Sequence, residues 1–152
     1  MRVAQLSPEV CRTAARLGRQ MEFALANAGI TVQQYRLLAL MSEGSSAGAV
    51  LADKLRVSRP TVTGIIEGLV VRGLVLREDD PDDRRRMRAT MTPAGEDALR
   101  EADAAVSARL LELLDQVDPD RASTAIEGLG VIHDALDIRR EGKLHGTEPP
   151  LA

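Results

Sequence analysis

The chain has 152 residues and a net charge of −3, with 44% hydrophobic and 28% charged residues, which places it among globular proteins of about one domain. Its apolar residues are almost all aliphatic, with Phe23 and Tyr35 the only aromatics, which favours packed helices over a strand-rich fold. Cys11 is the only cysteine, which excludes an intrachain disulfide; the N-terminus has no signal-peptide pattern and no apolar run nears the roughly 20 residues that span a bilayer, so the expectation is a cytoplasmic protein with no membrane partner.

Ser7-Pro8-Glu9 predicts a helix start: a hydroxyl cap, a proline in the first turn and an acid beside the positive helix end. Val10, Ala14, Leu17, Met21 and Leu25 recur at helical spacing, and Gly29 supplies the left-handed stop. Thr31-Val32-Gln33-Gln34 is a capping box opening a second helix through Tyr35, Leu37, Leu38 and Met41. Gly44-Ser45-Ser46 breaks it. Residues 47–55 predict a short third helix with Ala49, Val50, Ala52 and Leu55 apolar, followed by a tight turn at Arg56-Val57. Ser58 caps a fourth helix that runs to about Arg72 and stops at Gly73; its inner stripe is Val62, Ile65, Ile66 and Leu69.

The pattern then changes period. Residues 74–77 read as a short strand, and 87–91 alternate, with Met87, Ala89 and Met91 on one side and Arg88 and Thr90 on the other. A charged loop with Pro81 joins them into a hairpin. Thr92-Pro93 starts a long fifth helix with the stripe Leu99, Ala102, Val106, Leu110, Leu113 and Val117. Asp118-Pro119 opens a sixth with Ala122, Ile126, Leu129, His133 and Leu136. The expected fold is mainly α (α+β): six helices and a two-stranded β wing. Residues 31–91 form a winged helix-turn-helix, 1–30 and 92–140 a helical dimerisation region, and 141–152, with two glycines and two prolines, a flexible tail, all in one structural domain.

Charge is unevenly placed. Between Lys54 and Arg88 there are nine basic residues against six acidic ones, whereas between Glu96 and Glu141 there are twelve acidic against five basic. Screening over about 8 Å at physiological salt lets the two regions act almost independently, so local sign outweighs the total. Two short helices joined by a tight turn describe a helix-turn-helix, whose second helix presents its N-terminal residues to base edges. Here those residues are Ser58, Arg59, Pro60, Thr61 and Thr63. Arg59 has the reach for guanine or phosphate, and the threonines offer hydroxyls and methyls. An ordinary capped helical hairpin accounts for this segment equally well. The arginine cluster Arg84-Arg85-Arg86 at the hairpin tip shifts the balance, because an arginine there suits a narrow minor groove, and Asp83 can orient Arg85 by an ion pair. Lys54, Arg56 and Arg77 are candidate phosphate contacts.

Ser58 to Gly95 resembles the core of the MarR family of winged-helix regulators. The matching stretches are Ser58-Arg59-Pro60-Thr61-Val62-Thr63, Leu69 through Val75 with Arg72-Gly73, Asp80-Pro81-Asp82-Asp83-Arg84-Arg85, and Met91-Thr92-Pro93-Ala94-Gly95. The order of helices extends the resemblance to about residues 7–140. It implies a homodimeric transcriptional regulator that binds pseudo-palindromic double-stranded DNA. The first and last two helices form the interface, and the family's Asp-x-Arg wing motif falls on Asp83 and Arg85. It also implies a repressor released by a small-molecule effector. One departure is Gly64, followed by Gly68: two glycines inside a helix cost about 1 kcal/mol each relative to alanine. They remove side chains that could read bases and allow close approach to DNA or to a neighbouring helix.

Other readings carry less. The resemblance also admits a redox-sensing regulator using Cys11, but relatives of that kind surround the thiol with tyrosines, where this chain has Ala15, Leu25 and Val32; a buried structural cysteine is expected instead. Tyr35 is expected in the core rather than in a pocket. His133 and Asp137 have metal-ligand spacing but no companions, so no metal is expected. No nucleophile-base-acid set or phosphate loop suggests an enzyme, and no cofactor is implied. A winged-helix protein-interaction module is the remaining alternative.

Overall fold

The computed structural model describes residues 6–80 and 86–144. In chain order the elements are α1 (Pro8–Asn27), α2 (Val32–Ser42), α3 (Gly48–Leu55), α4 (Arg59–Val71), β1 (Val75–Asp79), β2 (Met87–Met91), α5 (Pro93–Leu114) and α6 (Pro119–Leu144). The expected six helices and two-stranded wing are all present.

Local chemistry explains most of the boundaries. Ser7 and Ser58 cap α1 and α4 by accepting from the amides of Val10 and Thr61, each with a proline in the first turn. Thr31 and Gln34 form the reciprocal capping box of α2. Gly29, Gly44 and Gly73 take positive φ where α1, α2 and α4 end, a conformation that costs glycine nothing. Arg56 takes the same left-handed conformation after α3, with φ 55°, and is the one non-glycine to do so among the described residues.

The core lies where α2, α3 and α4 meet the hairpin. Leu37, Leu38, Leu40 and Met41 of α2 are all buried, so this helix has almost no solvent face around its middle. α3 buries Leu51, Ala52 and Leu55, while Val50, expected on its apolar side, is exposed. α4 buries Val62, Ile66 and Leu69, with Ile65 packed against them. Each such side chain stabilises the docking by roughly 1.5–3 kcal/mol. β1 and β2 are antiparallel, with Val75 opposite Met91 and Asp79 opposite Met87. Ala89 is the buried residue of β2, as the alternation predicts. The strand has a second neighbour: Ala47 bridges to Arg88, and the Ala89 amide donates to the Ser46 carbonyl at 2.9 Å. This pairing has no local sequence signal.

The chain divides into two compact units, Met1–Arg109 and Leu110–Ala152. Within the first unit, Leu25 of α1 and Leu99 and Ala102 of α5 belong to the same core as the winged elements. In the second unit, α6 continues to Leu144, four residues past the expected end. The strong breakers, Gly146 and the two prolines, come only after that point; the remainder of the expected tail, 145–152, lies outside the described residues. The apolar stripes of α1 and α6 are only partly used within the chain. Val10, Ile126, Ile132 and Leu136 are exposed.

Candidate nucleic-acid interface and effector groove

α3, the turn at Arg56-Val57 and α4 form the helix-turn-helix. The turn is closed by the amides of Arg56 and Val57 donating to the carbonyls of Asp53 and Ala52, both at 3.1 Å. With Val62, Ile66 and Leu69 turned inward, the opposite face of α4 is open. Ser58, Arg59, Pro60, Thr61 and Gly64 are all exposed there, and Thr63 is half-buried. The hydroxyls are locally engaged: Ser58 Oγ and Thr61 Oγ1 are 2.7 Å apart, and Thr63 Oγ1 donates to the Arg59 carbonyl at 3.0 Å. A threonine bonded back to its own helix keeps its methyl and its lone pairs for a ligand.

The two glycines of α4 differ. A β-carbon on Gly64 would meet nothing within 4 Å, so that position is bare surface. A β-carbon on Gly68 would rest on Gln34 Nε2 of α2 at 3.5 Å, an ordinary contact. Gly68 therefore faces α2, but the helix–helix contact there leaves room for a β-carbon and does not require glycine.

The flanking cations fall into separate places. Arg56 is exposed in the turn. Lys54 is half-buried, and its Nζ donates to Ser45 Oγ at 2.7 Å, so one of its three donors holds the turn ahead of α3. Arg77 on β1 pairs with Glu67 of α4 at 3.4 Å. That pair ties the wing to the recognition helix, a bond the sequence reading missed because the partners lie on different elements. Both side chains are substantially exposed, so it contributes little to stability. In the hairpin, the Asp80 amide donates to the Arg86 carbonyl at 2.9 Å, closing the ladder; Arg86 is exposed. Asp83, Arg84 and Arg85 lie outside the described residues.

The exit from the wing is built by Thr92. Its Oγ1 donates to the Gly73 carbonyl at 2.7 Å and accepts from the Gly95 amide at 3.1 Å, while its own amide donates to the Leu74 carbonyl at 3.0 Å. A β-carbon on Gly95 would collide with that Leu74 carbonyl oxygen. The Thr-x-x-Gly spacing is therefore a structural requirement.

A groove of about 740 Å³ opens between α1, α2 and α5, walled by Ala15, Leu25, Val32, Tyr35 and Val106. Arg16, Arg19 and Arg36 border it against a single acid, Glu22. Among the described residues none of the three arginines has an ion-pair or hydrogen-bond partner. Tyr35 departs from the expectation of a purely core residue: it packs against the core and also lines the groove. Its hydroxyl donates to Asp103 Oδ1 of α5 at 2.7 Å. Burial, that hydrogen bond and the Asp103 charge push its pKa up to about 12. Arg109 of α5 donates from Nε to Gln20 of α1 at 3.0 Å.

Cys11 is exposed in the first turn of α1, not buried as expected, because α1 is buried only near Ala24 and Leu25. His133 Nε2 lies 3.5 Å from Asp137 Oδ2, and no group of three or more metal-ligating residues occurs among the described residues. No helix among them is long and apolar enough to cross a membrane.

These features agree with known proteins. The MarR family model matches residues 28–86, from the end of α1 to the start of β2. The HTH-type transcriptional regulator FarR of Neisseria gonorrhoeae is 32% identical over 117 residues, covering 74% of this chain and 80% of FarR. The Mycobacterium tuberculosis transcriptional regulator MosR, solved in complex with DNA, is 30% identical with a TM-score of 0.57, covering 87% of this chain and 98% of that one. NadR, solved in complex with 4-hydroxyphenylacetate, is 27% identical with a TM-score of 0.63, covering 97% and 99%. With the winged core matched by the family model and FarR 32% identical over most of both chains, the chain belongs to the MarR family of transcriptional regulators.

Proposed function

We propose that this protein is a homodimeric, sequence-specific DNA-binding repressor whose hold on DNA is weakened by a small organic anion. The observation that carries the reading is α4: its apolar residues dock it on the core, and its exposed N-terminal end carries Arg59 and Thr61. In this reading Ser58, Arg59, Pro60, Thr61, Thr63 and Gly64 lie in the major groove. Asp83, Arg84, Arg85 and Arg86 bring the wing to the minor groove, and Lys54, Arg56 and Arg77 meet phosphates. The DNA complex of MosR, 30% identical, supports duplex DNA as the partner. A dimer would set two α4 helices about 34 Å apart on a pseudo-palindrome. The exposed apolar residues of α6 and Leu111 and Leu113 of α5 are the surface that a second copy covers.

The groove beside Tyr35 is the effector site in this reading. Aliphatic walls with three arginines, unpaired among the described residues, against one glutamate suit an amphipathic anion, and the 4-hydroxyphenylacetate complex of NadR supports that class. Regulators as relatives and DNA as partner argue for a cytoplasmic protein that is not an enzyme. The test is footprinting on the intergenic DNA beside its own gene, with and without candidate anions. Protection of a two-fold symmetric site, lost in Arg59→Ala, is expected. Absence of any protected site would favour a winged-helix protein-interaction module.

A further inference from the structure

The first turn of α2 carries two consecutive side chains that hold different partners. Adjacent helix positions point about 100° apart, so Gln34 and Tyr35 reach different neighbours from one rigid turn. Gln34 Oε1 accepts from the Thr31 amide at 3.2 Å and from Arg72 Nη1 at 3.3 Å. Arg72 is the C-cap of α4, and Gly68, one turn earlier in α4, faces the Gln34 amide. Tyr35 lines the groove and donates to Asp103 of α5 at 2.7 Å. The capping box pins the backbone between them. The turn also sits over the fully buried Leu37 and Leu38, in a core too closely packed to absorb a displacement locally.

We infer that Gln34 and Tyr35 are positioning residues that couple α5 and the groove to the recognition helix. The Tyr35–Asp103 bond thereby sets operator affinity from outside the DNA-facing surface. A groove occupant that disturbs Tyr35 moves the turn, and the turn moves the end of α4 through Arg72 and Gly68. Coupling of this kind is a free energy shared between sites, and it is read by non-additivity rather than by proximity. The inference rests on the DNA-binding reading above for its first measurement and is independent of it for its second.

The experiment uses the full chain and a duplex identified by footprinting. Tyr35→Phe and Asp103→Asn keep shape and remove the bond's donor or its acceptor charge. Each is expected to weaken operator binding by roughly 3- to 10-fold, with no further loss in the double variant. Tyr35→Phe combined with Gln34→Leu is expected to depart from the product of the single effects by more than about 2-fold. The second measurement is amide hydrogen exchange in the DNA-free protein: Tyr35→Phe should speed exchange at the C-terminal turn of α4, although the bond it removes is to Asp103 of α5. Wild-type protein that binds no DNA would sink the functional reading and leave the exchange measurement to decide the coupling. Single variants within about 2-fold of wild type, multiplicative double variants, or unchanged exchange in α4 would each overturn it.

Discussion

The hydroxyl of Thr92 donates to the carbonyl of Gly73 at 2.7 Å, joining the end of the wing to the end of the recognition helix across 19 residues. Because the same hydroxyl accepts from Gly95, one side chain fixes where α4 stops, where β1 begins and where α5 starts. Thr92→Val should lower stability by about 1–3 kcal/mol, the loss of two bonds with the amide donor of the buried Gly95 left unmet. Gly95→Ala should cost a similar ~1–3 kcal/mol, because its neighbour is a backbone carbonyl that cannot swing aside. Urea midpoints at constant slope measure both, and a tolerated Gly95→Ala would remove the packing argument.

Arg56 is held at φ 55°, where a residue with a β-carbon carries a cost of roughly 1–2 kcal/mol. Arg56→Gly should therefore leave stability unchanged or raise it by up to ~1 kcal/mol, the gain being offset by a looser unfolded chain. The same variant should weaken operator binding if Arg56 meets a phosphate. Thermal unfolding and a mobility-shift titration on one preparation separate the two effects. A clear fall in stability would show that the guanidinium holds the turn.

Arg85→Ala should weaken DNA binding by ~1–3 kcal/mol and flatten the salt dependence by about one unit of slope per half-site. The prediction comes from the spacing of Asp83 and Arg85 before Thr92. Titrations at several salt concentrations check it, and unchanged affinity and slope would take the wing out of the interface.

Tyr35 is the sole tyrosine and the chain has no tryptophan, so phenolate absorbance reports this one group. Its pKa is pushed up to about 12, first by burial, then by the bond it donates to Asp103, then by that carboxylate's charge. A raised folded-state value stabilises the fold fully below about pH 10, the unfolded value, and that contribution disappears as pH rises through about 12. Asp103→Asn should bring the midpoint down only part of the way, since burial remains. A wild-type midpoint at the ordinary phenol value would contradict the Tyr35–Asp103 bond.

Leu129, Ile132 and Leu136 recur at i, i+3 and i+7 on α6, and Leu136 is 59% exposed in the single chain. Leu136→Asp should leave the monomer's fold intact and weaken self-association by ~2 kcal/mol or more. Sedimentation velocity over a concentration series would detect the shift toward monomer. A variant as dimeric as wild type would move the interface elsewhere.

The sequence by itself determined the elements whose signals are local. Ser7, Thr31 and Ser58 announce helix starts because each satisfies an amide within three residues. Gly29, Gly44 and Gly73 announce stops because the left-handed cap excludes most other residues. The switch of period from 3.6 to 2 at residue 74 marks the hairpin, and motif spacing from Ser58 to Gly95 was enough to suggest the family. Tertiary structure decided what depends on partners far along the chain. Periodicity cannot tell which side of the short α3 is buried, so Val50 turned out exposed and Leu51 buried. Nothing near residues 46–47 announces that β2 will pair with them. Lys54 has the charge of a phosphate contact, but its bond to Ser45 is visible only in space. Tyr35 looked like a core aromatic until Asp103, 68 residues away, and the groove were found on either side of it. Thr92 and Gly95 joined both kinds of information: their spacing is written in the sequence, and the carbonyls of Gly73 and Leu74 that require it come from the fold.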